Sequence, residues 1–242
     1  MPIAGTRRTM TGGWGNPKLD LKDPSLVLYL PLWYPDSETT GSPIISKDIN
    51  RHSCTVTGAI WTPQGRAFDG IDDRIVLNAN VTKGLAAVTV LAWVKPNDLS
   101  VSQSFVEDYT ANGDSSIGLK LLDVAGTGTW RAYIGIDGNA AARASFSGTT
   151  STLAYGTVYC IAGTWEPNLV SIFVNGVADG TFAYTSATLE PVVTENTVIG
   201  SYQDADNKEP VSGIIGEVLV YNRALTLAEI QHIYNSTKWR YQ

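Results

Sequence analysis

The stretch Gly65-Arg-Ala-Phe-Asp-Gly-Ile-Asp-Asp-Arg-Ile-Val-Leu-Asn78 decides how the chain is read. Asp69, Asp72 and Asp73 crowd around Gly70, and Ile75, Val76 and Leu77 follow at once. Asp side chains accept hydrogen bonds from backbone N–H groups two residues on, and Gly lets the chain turn sharply. Phe68 therefore plugs a core, the aspartates make a turn, and Ile75 opens a strand. Calcium is the second reading. It takes several oxygen ligands from a loop that can bend around it, and three carboxylates qualify. The two readings are compatible, since calcium would rigidify the same turn.

Working outward, strand-like runs recur between turn residues. They are Ser25–Trp33, Ala86–Pro96, "SIGLKLLDV", "WRAYIGID", "TVYCIAGTW", "LVSIFVNGVADG", "NTVIGSY" and "GIIGEVLVYNRAL". "AAVTVLAWVKP" is apolar on both faces, as in a strand covered on each side. Asn175-Gly176 sits between two apolar stretches and predicts a type I′ hairpin. Ten or more strands without alternating helices predict antiparallel sheets packed face to face. One helix is predicted, over "TLAEIQHIYNS". Thr226 and Glu229 form a capping box, and Leu227, Ile230 and Tyr234 share its apolar face, which is expected to pack on the sandwich edge. Residues 1–24 read as an extended arm, either a disordered tail or a segment that docks on a neighbouring subunit with Trp14 as its anchor, and 25–242 as the folded domain.

The bulk numbers exclude several classes. The chain has 242 residues, is 43% hydrophobic and 17% charged, and carries a net charge of -6. That is ordinary globular composition, and no basic face offers itself to nucleic acid. No run approaches the ~20 apolar residues of a membrane span. The first twenty residues lack the apolar core of a secretory signal. Cys54 and Cys160 fit no zinc spacing. Cys160 lies in an apolar run and reads as a buried thiol, with a Cys54–Cys160 disulfide as the lesser reading.

Four segments in order, "FDGIDDRIVL", "VTVLAWVKP", "IFVNGVADG" and "GEVLVYNRALTLAEIQHIY", resemble the laminin-G-like, concanavalin A-like jelly rolls, especially the pentraxin-like branch. The resemblance implies an all-β, two-sheet antiparallel sandwich of about a dozen strands with one short C-terminal helix and ligand loops at one rim. It also implies that Glu217 lies near the aspartate loop as a further calcium ligand. Gly216 stands where that pattern carries an aspartate, one donor fewer. The ends, "SLVLYLPLWYPD" and "YNSTKWRYQ", resemble stand-alone versions of this domain encoded among phage virion genes.

Fold does not set function, so the residues must. Retaining glucanases need two carboxylates on one face, about 5 Å apart. No strand shows alternating carboxylates: "EVLVYN" has one, and Glu190 and Glu195 fall on opposite faces. No nucleophile elbow and no phosphate-cradling glycine loop occurs. The chain reads as a non-enzyme. Glycan sites use exposed aromatics and polar groups. Trp93 and Trp165 read as core. Trp130, Tyr133, Tyr155, Tyr184 and Tyr202 lie nearer loops, where an aromatic caps the sandwich as readily as it stacks on a sugar. The loop "SYQDADNKEP" (201–210), with Tyr202, Asp204, Asp206 and Asn207, reads either as a plain solvated connection or as a recognition loop. The expected role is a structural, adhesion or decoration protein on the surface of a phage-like virion. Its partners would be virion proteins or copies of itself, through Trp14, Trp239 and Tyr241, and a host glycan at the rim. The alternatives are a free carbohydrate-binding module and, behind it, a glycoside hydrolase.

Overall fold

The computed structural model describes residues 19–34, 42–98, 101–109, 115–123, 130–136, 144–148, 151–183, 196–201 and 209–242. Among them are sixteen strands, one α-helix and a terminal 3-10 turn. In chain order the strands are β1 (Leu26–Pro31), β2 (Ile44–Ile45), β3 (Ser53–Thr57), β4 (Ile60–Thr62), β5 (Gly65–Asp69), β6 (Arg74–Leu77), β7 (Val88–Pro96) and β8 (Gln103–Tyr109). They continue as β9 (Ser115–Asp123), β10 (Trp130–Ile136), β11 (Ala144–Ser147), β12 (Tyr159–Glu166), β13 (Leu169–Val174), β14 (Val177–Ala183), β15 (Val198–Ile199) and β16 (Ser212–Tyr221). The helix α1 spans Leu227–Thr237.

Two eight-stranded antiparallel sheets result. The first runs β14-β13-β12-β7-β16-β5-β4, with β1 also paired to β16. The second runs β11-β10-β9-β8-β15-β6-β3-β2. The core lies between them. Val88, Val90, Ala92 and Val94 of β7 face Phe105, Ile117, Leu119, Leu121, Ile75 and Leu77 of the second sheet. Strand alternation sends Leu91 and Trp93 to the other face, into a second cluster with Leu26, Tyr29, Cys160, Leu219, Tyr221, Ile230 and Ile233. The two-faced apolar pattern of β7 is thereby explained.

That second cluster corrects the expected position of the helix. α1 lies over the outer face of the first sheet, not at its edge, and makes a third layer. Its buried residues are Ile230, Ile233, Ser236 and Thr237, whereas Leu227 is exposed. The stripe is thus shifted from Leu227 towards Ile233. The capping box is present: the Thr226 hydroxyl accepts from the Glu229 N–H, and the Glu229 carboxylate accepts from the Thr226 N–H at 2.8 Å.

The local turn predictions hold. Asn175 and Gly176 both take positive φ, 52° and 76°, as a type I′ turn requires, and join Val174 to Val177. Phe68 is buried in the inter-sheet core. Its ring lies against Gly200 so closely that a Cβ there would fall 2.1 Å from Cε1. Trp93 and Trp165 are buried as expected, and Cys54 and Cys160 are buried free thiols in different clusters.

β16 contains the irregularity that organises one outer face. Its first half, Ser212–Ile215, pairs β5, and its second half, from Glu217, pairs β1. A register shift against β7 falls between Ile215 and Glu217. The extra residue, Gly216, turns Glu217 to the helix side, whereas strict alternation would have put it in the core behind Ile215. Of the predicted arm, residues 1–18, with Trp14, lie outside the described residues. Leu19 packs on the second cluster and Asp23 reaches Arg223 at 3.4 Å.

Candidate functional site

The aspartate turn between β5 and β6 is built from its own backbone. Asp73 accepts from the Asp69 N–H at 2.9 Å, and Asp69 accepts from the Ile71 N–H at 2.8 Å. One carboxylate oxygen from each of Asp69, Asp72 and Asp73 lies within 4.8 Å of the other two. Asp69 and Asp72 are exposed and Asp73 is buried. Burial, and then the neighbouring charges of Asp69 and Asp72, push the Asp73 carboxyl up against the opposing pull of the Asp69 N–H. The other Asp73 oxygen sits where a Cβ at position 58 would be, which is why Gly58 stands there. A hard-oxygen cluster of this kind fits calcium chemistry, with Asp73 partly committed to the turn.

Glu217 does not join it. It is fully buried on the helix side of the first sheet, where Arg240 Nη1 reaches both its oxygens at 3.1 and 2.9 Å. The Tyr29 hydroxyl and Trp33 Nε1 donate to Oε2 at 3.1 and 3.2 Å. Burial still outweighs these donors and raises the Glu217 carboxyl above its usual 4.5. The register is the reason the implied calcium ligand lies elsewhere: Asp69 pairs Ser212, five residues along β16 from Glu217, and the bulge at Gly216 then sets the face on which Glu217 lies. The C-terminal residues are likewise used within the chain. Tyr241 stacks on Trp93 at 4.4 Å, and Arg240 is held by Glu217. Trp239 stays 55% exposed.

A third charged cluster escaped the sequence reading. On β8 and β9, Lys120 Nζ lies 3.1 Å from Glu107 and 3.1 Å from Glu209, and the Ser104 hydroxyl donates to Glu107 at 2.5 Å. Burial raises the Glu107 carboxyl to about 7 despite Lys120 and Ser104. Burial works against the Lys120 ammonium, but the two carboxylates prevail and hold its pKa up. The search for carboxylates spaced along one strand missed this pair because its members come from β8 and from the segment before β16. The pattern carries no local signal. Lys120 between them offsets the charge of one carboxylate, and Glu107 is 2% exposed.

The cluster sits at the foot of loop 201–210. Ser104 N–H donates to Glu209 O at 2.9 Å, and Val211 N–H donates to Gly200 O at 2.9 Å. Tyr202, Asp204, Asp206 and Asn207 lie outside the described residues, as do Tyr184 and the side chains of Trp130 and Tyr133. Tyr155 is exposed. No described helix is long and apolar enough to cross a membrane.

A two-sheet antiparallel jelly roll is an architecture shared by lectin, viral capsid and cupin domains. Residues 69–231 match the Laminin_G_3 family, the concanavalin A-like lectin/glucanases superfamily, and the chain belongs to it. No curated protein matches significantly. Among solved structures, a Trypanosoma rangeli sialidase in complex with sialic acid aligns with a TM-score of 0.64 at 19% identity, over 89% of this chain and 33% of the sialidase. The heptameric SAP-like pentraxin of Limulus polyphemus aligns at 0.53 and 18% identity, over 68% and 78% of the two chains. The CBM40 of a Ruminococcus gnavus IT-sialidase, bound to α2,3 sialyllactose, aligns at 0.53 and 15% identity, over 62% and 83%. At these identities the likeness is one of fold.

Proposed function

We propose that the chain is a non-catalytic glycan-binding module, displayed on the surface of a phage-like virion, with loop 201–210 as its recognition loop. The observation that carries this reading is the anchoring of that loop. Both ends are tied by backbone hydrogen bonds, and Glu209 is ionically fixed through Lys120 to the buried Glu107. A recognition loop needs such a rigid base. The lectin-like fold supports glycan as the ligand class. The non-catalytic half draws on the described acids. Glu107 shares Lys120 with Glu209, Glu217 pairs with Arg240, and Asp73 serves a turn.

A glycan array is the test. A hit that Tyr202→Ala abolishes, with the circular dichroism spectrum unchanged, supports the reading. A hit that survives this change moves the site elsewhere, and sugar release from the bound glycan, abolished by Glu107→Gln, overturns the non-catalytic part. For assembly, light scattering with and without residues 1–24 is decisive, and a monomer in both cases counts against the virion placement. Calcium at Asp69, Asp72 and Asp73 is a second proposal, supported by their clustered oxygens.

A further inference from the structure

A row of rings and cations runs from the groove beside Leu30, Leu32 and Ile44, through the turn after β1, to the C-terminus. Lys47 Nζ lies 5.5 Å from the Tyr34 ring. Tyr34 meets Trp33 edge-on, with centroids 5.7 Å apart at 78°. The Arg240 guanidinium lies 4.5 Å from the Trp33 ring and 5.2 Å from the Trp239 ring. The two outer rings, Tyr34 and Trp239, are 47% and 55% exposed. We infer that this row is a second glycan-binding site, which stacks the C–H faces of an uncharged polysaccharide on Tyr34 and Trp239. The inference rests on the glycan-binding reading, but the site is separate from loop 201–210.

Three features support it. First, the ring edges are already satisfied. Trp239 Nε1 donates to Ser236 O at 2.9 Å, Trp33 Nε1 to Glu217, and Trp61 Nε1 to Trp33 O at 3.3 Å. The indole orientations are therefore set before any ligand arrives, which lowers the ordering cost of binding. What Trp239 turns to solvent is an apolar surface of low rotamer entropy. Second, the charge is balanced. Glu217 neutralises Arg240 at 2.9 Å, so the centre of the row is a poor receptor for an anion. Its guanidinium instead packs over the rings of both tryptophans and helps to hold them in place. Third, the rings are spaced by polar groups and do not merge into one aliphatic face. Tyr, Trp and Arg are also frequent in protein interfaces, so the oligomeric state belongs to the test. A sugar chain, which alternates C–H faces with hydroxyls, suits rings spaced by polar groups.

Affinity gel electrophoresis tests this, with xyloglucan, hydroxyethylcellulose, galactomannan and amylopectin as neutral probes and alginate as the acidic control. The wild-type protein is expected to be retarded in at least one neutral gel, equally at low salt and at 0.5 M NaCl (an experimental setting of roughly a 4 Å Debye length). Trp239→Ala and Tyr34→Ala should each weaken the retardation at least about tenfold, and Tyr202→Ala should leave it intact. Melting curves confirm that the variants fold. Retardation lost only in Tyr202→Ala overturns the second site and leaves the recognition loop standing. Retardation confined to alginate and removed by salt overturns the uncharged class. A dimer that Trp239→Ala dissolves makes the row an interface and overturns the site. No binding in any gel, with array binding retained through loop 201–210, also overturns the row alone, whereas no binding in either assay overturns both.

Discussion

Arg240→Ala is expected to destabilise the protein through the charge it leaves behind. Glu217 is fully buried, and Arg240 is the cation against it, itself only 17% exposed. Removing one partner of a buried pair costs roughly 3–5 kcal/mol, because the other charge remains without compensation. Here the Tyr29 hydroxyl and Trp33 Nε1 still donate to the carboxylate at 3.1 and 3.2 Å, which places the loss near the lower end, at about 3 kcal/mol. For a chain of this size that corresponds to roughly 6–12 °C in Tm. Adding Glu217→Gln to Arg240→Ala removes the stranded charge, so the double variant should be more stable than Arg240→Ala alone, by roughly 1–2 kcal/mol. The pH dependence has a definite sign. The folded-state pKa of Glu217 is already raised above 4.5, and loss of Arg240 raises it further. Below its unfolded value the carboxyl is protonated in both states and costs little. As pH rises through that value towards the folded one, the variant loses stability. Urea denaturation at pH 4 and pH 7 measures all of this. A loss under about 1 kcal/mol at pH 7, or strictly additive single and double variants, refutes the account.

Glu107 gives a second pH effect. Its carboxyl is raised from 4.5 to about 7, so the stability it allows is full below the lower value and falls as pH rises to the higher one. Glu107→Gln should remove a slope of up to about 1.4 kcal/mol per pH unit across that window, read from urea midpoints at pH 5 and 7. Gly200→Ala should cost about 2 kcal/mol or more, since the residue has φ 88° and the new Cβ would meet the Phe68 ring; an unchanged melting point would contradict the packing. Calcium at about millimolar concentration should release or absorb heat in the wild-type protein and not in Asp72→Asn. A silent wild-type titration ends the calcium proposal. Thr226→Ala should lose about 1 kcal/mol with its N-cap, measured by thermal denaturation.

Several elements were legible because their causes are local. The turn after Phe68 is held by hydrogen bonds that reach two and four residues, Ile71 to Asp69 and Asp69 to Asp73. The Asn175-Gly176 hairpin follows from two residues that tolerate positive φ, and the helix start from Thr226 and Glu229 three apart. Alternation along each strand told which residues could share a face, and hence that β7 is covered on both sides. The sequence by itself therefore determined the turns, the cap, the strand periodicity and, through them, antiparallel sheets packed face to face, while the jelly-roll class came from the resemblance of four ordered segments to a known family.

The tertiary structure alone decided which of these faces met. Glu217 was expected beside the aspartates, and a one-residue bulge at Gly216 sent it to the helix side, where Arg240, close in sequence but placed by a helix and a turn, closes on it. Glu107 meets Lys120 and Glu209 only because β8 and β9 pair and the chain returns before β16. Trp33 and Tyr34 come to the C-terminal Trp239 and Arg240 because β1 pairs β16 and α1 folds back over that sheet. Such contacts have no signature in spacing. They arise from sheet register and layer packing, which depend on the whole core closing at once, whereas a turn or a cap depends only on torsions and hydrogen bonds within reach of a few residues.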